Sequence, residues 1–156
     1  MQRVLVIEDD PAMSQYIGEI LAKAEYEVSA AFDGVAGLEA IRAGTSQAVI
    51  LDIFMPEKDG LEVLLETRRF APQLPVLVIS GKQHLLSESS MNLAKQLGAD
   101  DVLSKPFTPQ ELLDRVKHLA SVQAQSIQRA HEARPKSRLQ KLREQVDRVA
   151  GRVRNR

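Results

Sequence analysis

The feature that most constrains the fold of this chain is a regular alternation between short apolar segments and segments of helical period. The apolar or β-branched segments are Val4–Ile7, Val28–Ala31, Ala48–Leu51, Val76–Ile79 and Asp101–Leu103. The helical segments are Pro11–Ala24, Gly34–Arg42, Gly60–Phe70, Glu88–Leu97 and a last one from Pro109 onward. Five strand–helix repeats of this kind predict an α/β fold, in which a parallel sheet is covered by helices on both faces.

Local signals support two of the helix starts. Asp10-Pro11 combines an N-cap residue with proline at the first helical position, and Thr108-Pro109-Gln110-Glu111 forms a capping box with the same proline placement. The strands are continuous apolar runs rather than alternating ones, which is typical of parallel strands buried on both faces. We therefore expect five buried strands.

The composition excludes several classes of protein. The chain has 156 residues, no cysteine and three histidines, which excludes a disulfide scaffold and a thiolate zinc site and leaves little room for a histidine-based metal site. Apolar runs such as Val4–Ile7 are too short to span a bilayer, and no signal-peptide pattern follows the first residues. We expect a cytoplasmic protein that does not interact with membranes.

Chemically matched groups stand at the carboxyl ends of the predicted strands. The first strand ends in Glu8-Asp9-Asp10, the third in Asp52 and the fourth in Ser80, and the fifth leads into Lys105. Functional groups of an open parallel sheet gather at this edge, so Glu8, Asp9 and Asp52 converge if the first and third strands are neighbours. Asp10 is interpreted as a helix cap. Each of the other groups alone carries little information, and the prediction rests on their combination.

Three close carboxylates repel one another and need protons or a cation to relieve them. Oxygen ligands of this kind suit Mg²⁺. A hydroxyl from Ser80 and an ammonium group from Lys105 complete the surroundings that a phosphoryl group requires, because its transfer depends on positioning and charge neutralisation. Asp52 is then the candidate nucleophile, which would form an acyl phosphate.

Three motifs resemble the receiver domains of bacterial two-component response regulators. They are Val4-Leu5-Val6-Ile7-Glu8-Asp9-Asp10-Pro11, Leu51-Asp52-Ile53-Phe54-Met55-Pro56 followed by Asp59-Gly60, and Gly98-Ala99-Asp100-Asp101-Val102-Leu103-Ser104-Lys105-Pro106-Phe107. The resemblance covers residues 1 to about 120. It implies a flavodoxin-like, doubly wound, five-stranded parallel sheet of order 2-1-3-4-5 with helices on both faces.

The resemblance also implies roles for the clustered residues. Asp52 would be the phosphoacceptor, charged by a sensor histidine kinase or a phosphotransfer protein. Asp9, Asp52 and the backbone carbonyl of Phe54 would bind Mg²⁺, and Glu8 would complete the metal site through water. Ser80 would hydrogen-bond a phosphoryl oxygen. Lys105 would pair with the phosphoryl group, and its peptide bond to Pro106 would be cis.

One position departs from the pattern of the family. Val102 stands where most receivers carry tyrosine or phenylalanine, whose ring moves inward when the switch hydroxyl moves. Phosphorylation is still expected, but output through the surface of the fourth helix, fifth strand and fifth helix is in question. A degenerate receiver that serves as an interaction module is therefore an alternative.

Enzyme functions fit the sequence less well. A phosphohydrolase with an aspartate nucleophile would carry an Asp-x-Asp motif at the end of the first strand, where Glu8-Asp9-Asp10 stands instead. A dinucleotide-binding domain would carry G-x-G-x-x-G after that strand, which is absent. We expect a switch whose chemistry is limited to its own phosphorylation and dephosphorylation.

The charge distribution divides the chain in two. Residues 1–120 hold 11 basic and 18 acidic side chains, and residues 121–156 hold 10 basic and 3 acidic ones. We therefore predict a receiver domain over 1–120 and a basic helical extension or linker over 121–156. After Pro135, an apolar heptad seam is formed by Leu139, Leu142, Val146, Val149 and Val153.

Three interpretations of the extension remain open. It is a helix that forms a homodimer, a linker to an effector domain of a larger response regulator, or an arm that docks on an acidic partner. Nucleic-acid binding is the weakest form of the last interpretation, because the extension carries no aromatic residues for base stacking.

Overall fold

The computed structural model describes residues 2–81 and 87–132, which form five strands and five helices in strict alternation. The strands are β1 Arg3–Ile7, β2 Glu27–Ala31, β3 Ala48–Asp52, β4 Val76–Gly81 and β5 Asp101–Lys105. The helices are α1 Pro11–Lys23, α2 Gly34–Arg42, α3 Gly60–Phe70, α4 Ser87–Gln96 and α5 Pro109–Glu132. The alternation predicted from the sequence is confirmed, with boundaries that shift by one or two residues for most elements.

The five strands form one parallel sheet in the order β2-β1-β3-β4-β5. This is the flavodoxin-like α/β fold that the family resemblance implies. β1 and β3 are hydrogen-bonded neighbours, with Ile7 opposite Leu51. The acidic residues at the ends of these two strands therefore leave the sheet side by side.

The sheet is buried on both faces by two hydrophobic clusters. Leu5 and Ile7 of β1 face the cluster that includes buried residues of α2, α3 and α4. Val4 and Val6 face the cluster that includes buried residues of α1 and α5. Successive residues of a strand point to opposite faces, so a strand in the middle of the sheet must be apolar throughout.

The expectation of five buried strands is wrong for β2. Its first four residues, Glu27 to Ala30, are exposed or half-buried, and Ala31 alone in this strand is buried. The reason is its place at the edge of the sheet, where it pairs with β1 on one side and with no other strand that the structure describes.

Side-chain caps fix where four of the helices begin at the carboxyl edge of the sheet. Asp10, Asp33 and Asp59 each accept a hydrogen bond from a backbone amide in the first turn of α1, α2 and α3. Thr108 and Glu111 form the predicted capping box of α5, in which the Thr108 amide donates to Glu111 and the Glu111 amide donates to Thr108. Such caps satisfy amide groups that have no partner within the helix.

The chain divides into two compact units, Met1–Gln125 and Ser126–Arg156. Of the second unit the structure describes residues 126–132, which are the last residues of α5. The heptad seam from Leu139 to Val153 lies outside the described residues, so the boundary at residue 120 and the homodimer, linker and docking interpretations stay predictions. None of the described helices combines the length and the apolar character that a membrane-spanning segment requires.

Candidate functional site

Three carboxylates meet where β1 and β3 end. Glu8 and Asp9 follow β1 and Asp52 is the last residue of β3, and each offers an oxygen within 4.8 Å of the others. Glu8 and Asp52 are buried, with 1% and 4% of their surfaces exposed, whereas Asp9 is half-buried. The convergence expected from the strand order is therefore present, and the group contains only oxygen ligands.

Lys105 reaches this cluster from the end of β5. Its Nζ lies 2.7 Å from Glu8 Oε2 and 3.2 Å from Asp52 Oδ2. One ammonium group thus serves two carboxylates, which leaves the cluster with an excess of negative charge when all of its acids are ionised. The Lys105–Pro106 peptide bond is cis, as the family resemblance implies.

Burial controls the protonation of the cluster. It raises the pKa of Glu8 to about 7, against the opposing hydrogen bond from Lys105, and the charge of Asp52 adds to the increase. Burial also raises the pKa of Asp52, while the charge of Lys105 opposes it. Burial lowers the pKa of Lys105, but its contacts with Glu8 and Asp52 outweigh that effect and raise it overall. Burial thus disfavours the charged form of both carboxyls, and Lys105 offsets only part of that effect.

Two polar atoms at this edge have no hydrogen-bond partner among the described residues: Asp52 Oδ1 and Ser80 Oγ. Ser80 is 1% exposed and follows Ile79, the residue of β4 that stands opposite Asp52. Buried polar atoms are nearly always partnered, because an unsatisfied one costs about 1–3 kcal/mol. An unpartnered carboxylate oxygen and an unpartnered hydroxyl on neighbouring strands therefore indicate a place for a bound group.

The loop after β3 is shaped by a glycine whose role the sequence did not reveal. A Cβ atom on Gly60 would lie 2.0 Å from the carbonyl oxygen of Asp52, and the Gly60 amide donates to the Ile53 carbonyl at 2.8 Å. Helix α3 thus begins in direct contact with the backbone of the candidate nucleophile. Phe54, whose carbonyl is a predicted metal ligand, is half-buried in this loop, and its backbone amide helps to lower the pKa of Asp52 against the larger effect of burial.

Asp10 and Val102 do not contribute side chains to the cluster. Asp10 caps α1 by accepting a hydrogen bond from the Ala12 amide at 2.9 Å, as interpreted from the sequence. Val102 is buried and packs in the cluster shared by α2, α3 and α4. The position that is aromatic in most receivers is thus an ordinary core position in this chain.

The arrangement is suited to holding a phosphoryl group. The ends of three strands supply a carboxylate, a hydroxyl and an ammonium group, and the Asp52 Oδ1 and Ser80 Oγ atoms have no partner among the described residues. Further carboxylates lie beside Asp52. Such a site stabilises negative charge on oxygen through an ammonium and a hydroxyl donor, and it can hold a hard cation through its carboxylates.

Comparison with known proteins agrees with this geometry. The sequence model of the response regulator receiver domain family matches residues 4–117. The chain is 37% identical over 115 residues to the transcriptional regulatory protein DltR of Streptococcus agalactiae, a match that covers 74% of this chain and 50% of DltR. It is 39% identical over 117 residues to the response regulator MprA of Mycobacterium ulcerans, covering 75% of this chain and 49% of MprA. The chain thus spans about half the length of the curated relatives it matches.

Solved structures show the same fold. A CheY-like response regulator receiver domain protein from Methanospirillum hungatei superposes with a TM-score of 0.74 at 28% identity, covering 81% of this chain and 98% of that one. NtrX from Brucella abortus superposes with a TM-score of 0.78 at 27% identity, covering 95% of this chain and 34% of NtrX. The resemblance noted in the sequence is confirmed, and the chain belongs to the response regulator receiver domain family.

Proposed function

We propose that this chain is a phosphorylation-controlled switch in which Asp52 accepts one phosphoryl group from a sensor histidine kinase or a phosphotransfer protein. The modified and unmodified states would differ in their affinity for partners. The observation that carries this proposal is the state of the Asp52 carboxylate. It is buried, Lys105 engages Oδ2, and Oδ1 has no hydrogen-bond partner among the described residues.

The two oxygens of Asp52 suit different tasks. Oδ1 is the candidate nucleophile, since it has no hydrogen-bond partner among the described residues, and it forms a bond to phosphorus as the bond between phosphorus and the phosphodonor breaks. The ammonium group of Lys105 stands beside the acceptor carboxylate and offsets charge on the incoming phosphoryl oxygens. The Ser80 hydroxyl, which is buried and has no partner within the described part of the chain, donates a hydrogen bond to one of these oxygens.

The residues present fit a bound Mg²⁺ ion. The donor set is entirely oxygen, three carboxylates lie within 4.8 Å of one another, and burial raises the pKa of both Glu8 and Asp52. Asp9, Asp52 and the Phe54 carbonyl would hold the ion directly, and Glu8 would hold it through water. When bound, Mg²⁺ offsets negative charge on the carboxylates and on the phosphoryl oxygens.

The chemistry that we propose is limited to the modification of the chain itself. Asp52 is phosphorylated once from a donor and loses the group by slow hydrolysis, and no metabolite is turned over. The rival interpretation as a degenerate receiver predicts that Asp52 stays unmodified, so one experiment separates the two.

Intact mass spectrometry of the full chain tests the proposal. After incubation with Mg²⁺ and phosphoramidate or acetyl phosphate, we expect the mass of one phosphoryl group to be added. Omitting Mg²⁺ is expected to reduce the modified fraction, because the carboxylates then repel the donor.

Two aspartate variants provide the comparison. Asp52→Asn should gain no phosphoryl group. Asp10→Asn is the matched control, because asparagine caps a helix as well as aspartate does and Asp10 lies at the same edge of the sheet. A wild-type chain that stays unmodified with both donors would show that the proposal is wrong.

A further inference from the structure

The short segment that follows Lys105 is held at both of its ends. Lys105 is the last residue of β5 and stands opposite Gly81 of β4. Three residues later, the backbone amide and the hydroxyl of Thr108 donate to Glu111 Oε2 at 2.7 and 2.9 Å. Between these anchors lie Pro106, which is exposed, and Phe107, which is half-buried.

The ring of Phe107 has two different neighbours. It packs against the hydrophobic cluster shared by α1 and α5. It also stacks on Tyr16 of α1, with the ring centroids 6.4 Å apart and the ring planes at 25°. Such an offset aromatic pair contributes about 0.5–1.5 kcal/mol beyond the area that it buries. Tyr16 is 39% exposed, so the contact with Phe107 lies at the surface.

Helix α1, which carries Tyr16, is tied to the acidic cluster. The Asp10 amide donates to Glu8 Oε1 at 3.3 Å, and the Asp10 side chain caps the first turn of the helix. The stack of Tyr16 on Phe107 therefore joins the helix that follows Glu8 to the segment that follows Lys105. The ion pair between Glu8 and Lys105 joins the same two segments inside the acidic cluster.

We propose that Tyr16 is a positioning residue for Lys105 and acts through Phe107. Lys105 carries its ammonium group on a flexible four-carbon stem, so the place of its backbone sets how well Nζ serves Glu8 and Asp52 together. Stacking on Tyr16 holds Phe107, and with it the end of β5, at a fixed distance from α1. The inference rests on the proposed function, since it assigns Tyr16 a share in the phosphoryl site.

The affinity of the full chain for beryllofluoride, measured with Mg²⁺ by fluorine NMR titration, tests this inference. Tyr16→Ala should weaken binding by about twofold to twelvefold, which is the fold-change that corresponds to the stacking energy. Tyr16→Phe keeps the ring and should bind as the wild type does. Should Tyr16→Ala fail to fold, Tyr16→Leu keeps apolar bulk without the ring and is expected to weaken binding in the same direction.

A double-mutant cycle separates positioning from a general loss of structure. In a Lys105→Ala background, Tyr16→Ala should cause no further loss of beryllofluoride affinity, because the group that it positions is already absent. The same fold-loss in both backgrounds would overturn the inference. Leu65→Ala is the matched control: Leu65 is 41% exposed on α3, and its truncation should leave the affinity unchanged.

The outcomes also separate this inference from the proposed function. If the wild type binds beryllofluoride and Tyr16→Ala binds it equally well, the positioning role of Tyr16 is wrong while the proposed function stands. If the wild type and Leu65→Ala both fail to bind it, the proposed function and the inference are overturned together.

Discussion

The charged side chains at the two ends of the same sheet differ in how completely they are paired. At the carboxyl end, one lysine serves two buried carboxylates, and two polar atoms have no partner among the described residues. At the amino end, Arg68 of α3 donates to the Gly98 carbonyl at 2.8 Å, to the Leu74 carbonyl at 2.6 Å and to Asp100 Oδ2 at 2.9 Å. We call this second group the Arg68 network.

The Arg68 network links α3 to the segments that precede β4 and β5. Asp100 Oδ2 also accepts a hydrogen bond from the Val76 amide at the start of β4, so the network joins α3 to the beginnings of β4 and β5. Burial lowers the pKa of the Arg68 guanidinium, against the charge of Asp100, but arginine stays charged in proteins. A satisfied polar network of this kind fixes geometry, because each lost bond would leave a group unpaired.

The difference between the two ends assigns them different tasks. The Arg68 network uses its charges to hold the fold together. At the carboxyl end, one lysine pairs with two buried carboxylates, and this incomplete pairing lowers the free energy of unfolding. A bound cation and a phosphoryl group would supply the missing interactions and stabilise the folded chain. Substitutions at the two ends should therefore change stability and function in different ways.

Removal of the arginine should have the largest effect on stability. Arg68→Met leaves Asp100 and the Leu74 and Gly98 carbonyls without their donor, so we expect the free energy of unfolding to fall by about 3 kcal/mol, or roughly 1 kcal/mol for each lost hydrogen bond. Phosphorylation of the folded fraction should persist, since the network lies at the opposite end of the sheet from the acidic cluster. Urea unfolding followed by circular dichroism measures the change.

Arg69→Met is the matched control for this experiment. Arg69 is the next residue of the same helix and is exposed, so its replacement should change stability by less than about 0.5 kcal/mol. Equal losses for the two variants would mean that the Arg68 network does not hold the fold as described.

Addition of Mg²⁺ should reveal the charge deficit of the carboxyl end. At a hundredfold excess over its dissociation constant, the ion should raise the free energy of unfolding of the wild type by about 2.7 kcal/mol. Arg68→Met should gain as much from the ion, because its metal site is intact. Asp9→Asn should gain little, since it loses a carboxylate of the cluster. Titration calorimetry with Mg²⁺ provides a second measurement, and an unchanged affinity in Asp9→Asn would show that the metal site is misplaced.

The residues that cluster at the carboxyl end of the sheet could be predicted from the sequence, whereas the Arg68 network at the amino end could not. The groups of the carboxyl end each follow a strand, so strand order alone brings Glu8, Asp9, Asp52, Ser80 and Lys105 to one edge. Arg68 and Asp100 are 32 residues apart, and each resembles an ordinary solvated charge in the sequence. Their pairing depends on how α3 lies against the starts of β4 and β5, which no local pattern encodes.

Two further features escaped prediction for related reasons. The exposure of β2 depends on its place at the edge of the sheet, whereas its apolar run resembles that of a central strand. Tyr16 and Phe107 stack because α1 and the segment after β5 lie on the same face of the sheet. Tertiary packing decides both features. The phosphoryl and metal roles of the clustered residues stay predictions until the mass spectrometric and Mg²⁺ experiments are done.

Replacing an aspartate with asparagine should have the smallest effect on the free energy of unfolding, but with opposite signs at the two ends of the sheet. This makes it the most direct test of the comparison. Without Mg²⁺ at neutral pH, Asp52→Asn should be about 1 kcal/mol more stable than the wild type. Burial raises the pKa of Asp52 above 3.8, so the unfolded chain ionises first as the pH rises, and the wild type loses stability that the asparagine variant keeps. Lys105 retains its contact with Glu8 in this variant.

Asp100→Asn is the counterpart at the amino end and should be less stable than the wild type by about 1 kcal/mol, because it gives up the ion pair with Arg68. The gain from Asp52→Asn should shrink as the pH falls towards 3.8, because the folded carboxyl is protonated before the unfolded one, and it should vanish below 3.8, where both are protonated. Urea unfolding of both variants from pH 4 to pH 8 measures these differences. A loss of stability in Asp52→Asn at neutral pH without Mg²⁺ would contradict the comparison, since it would mean that the folded chain already satisfies the charge of Asp52 as well as it satisfies that of Asp100.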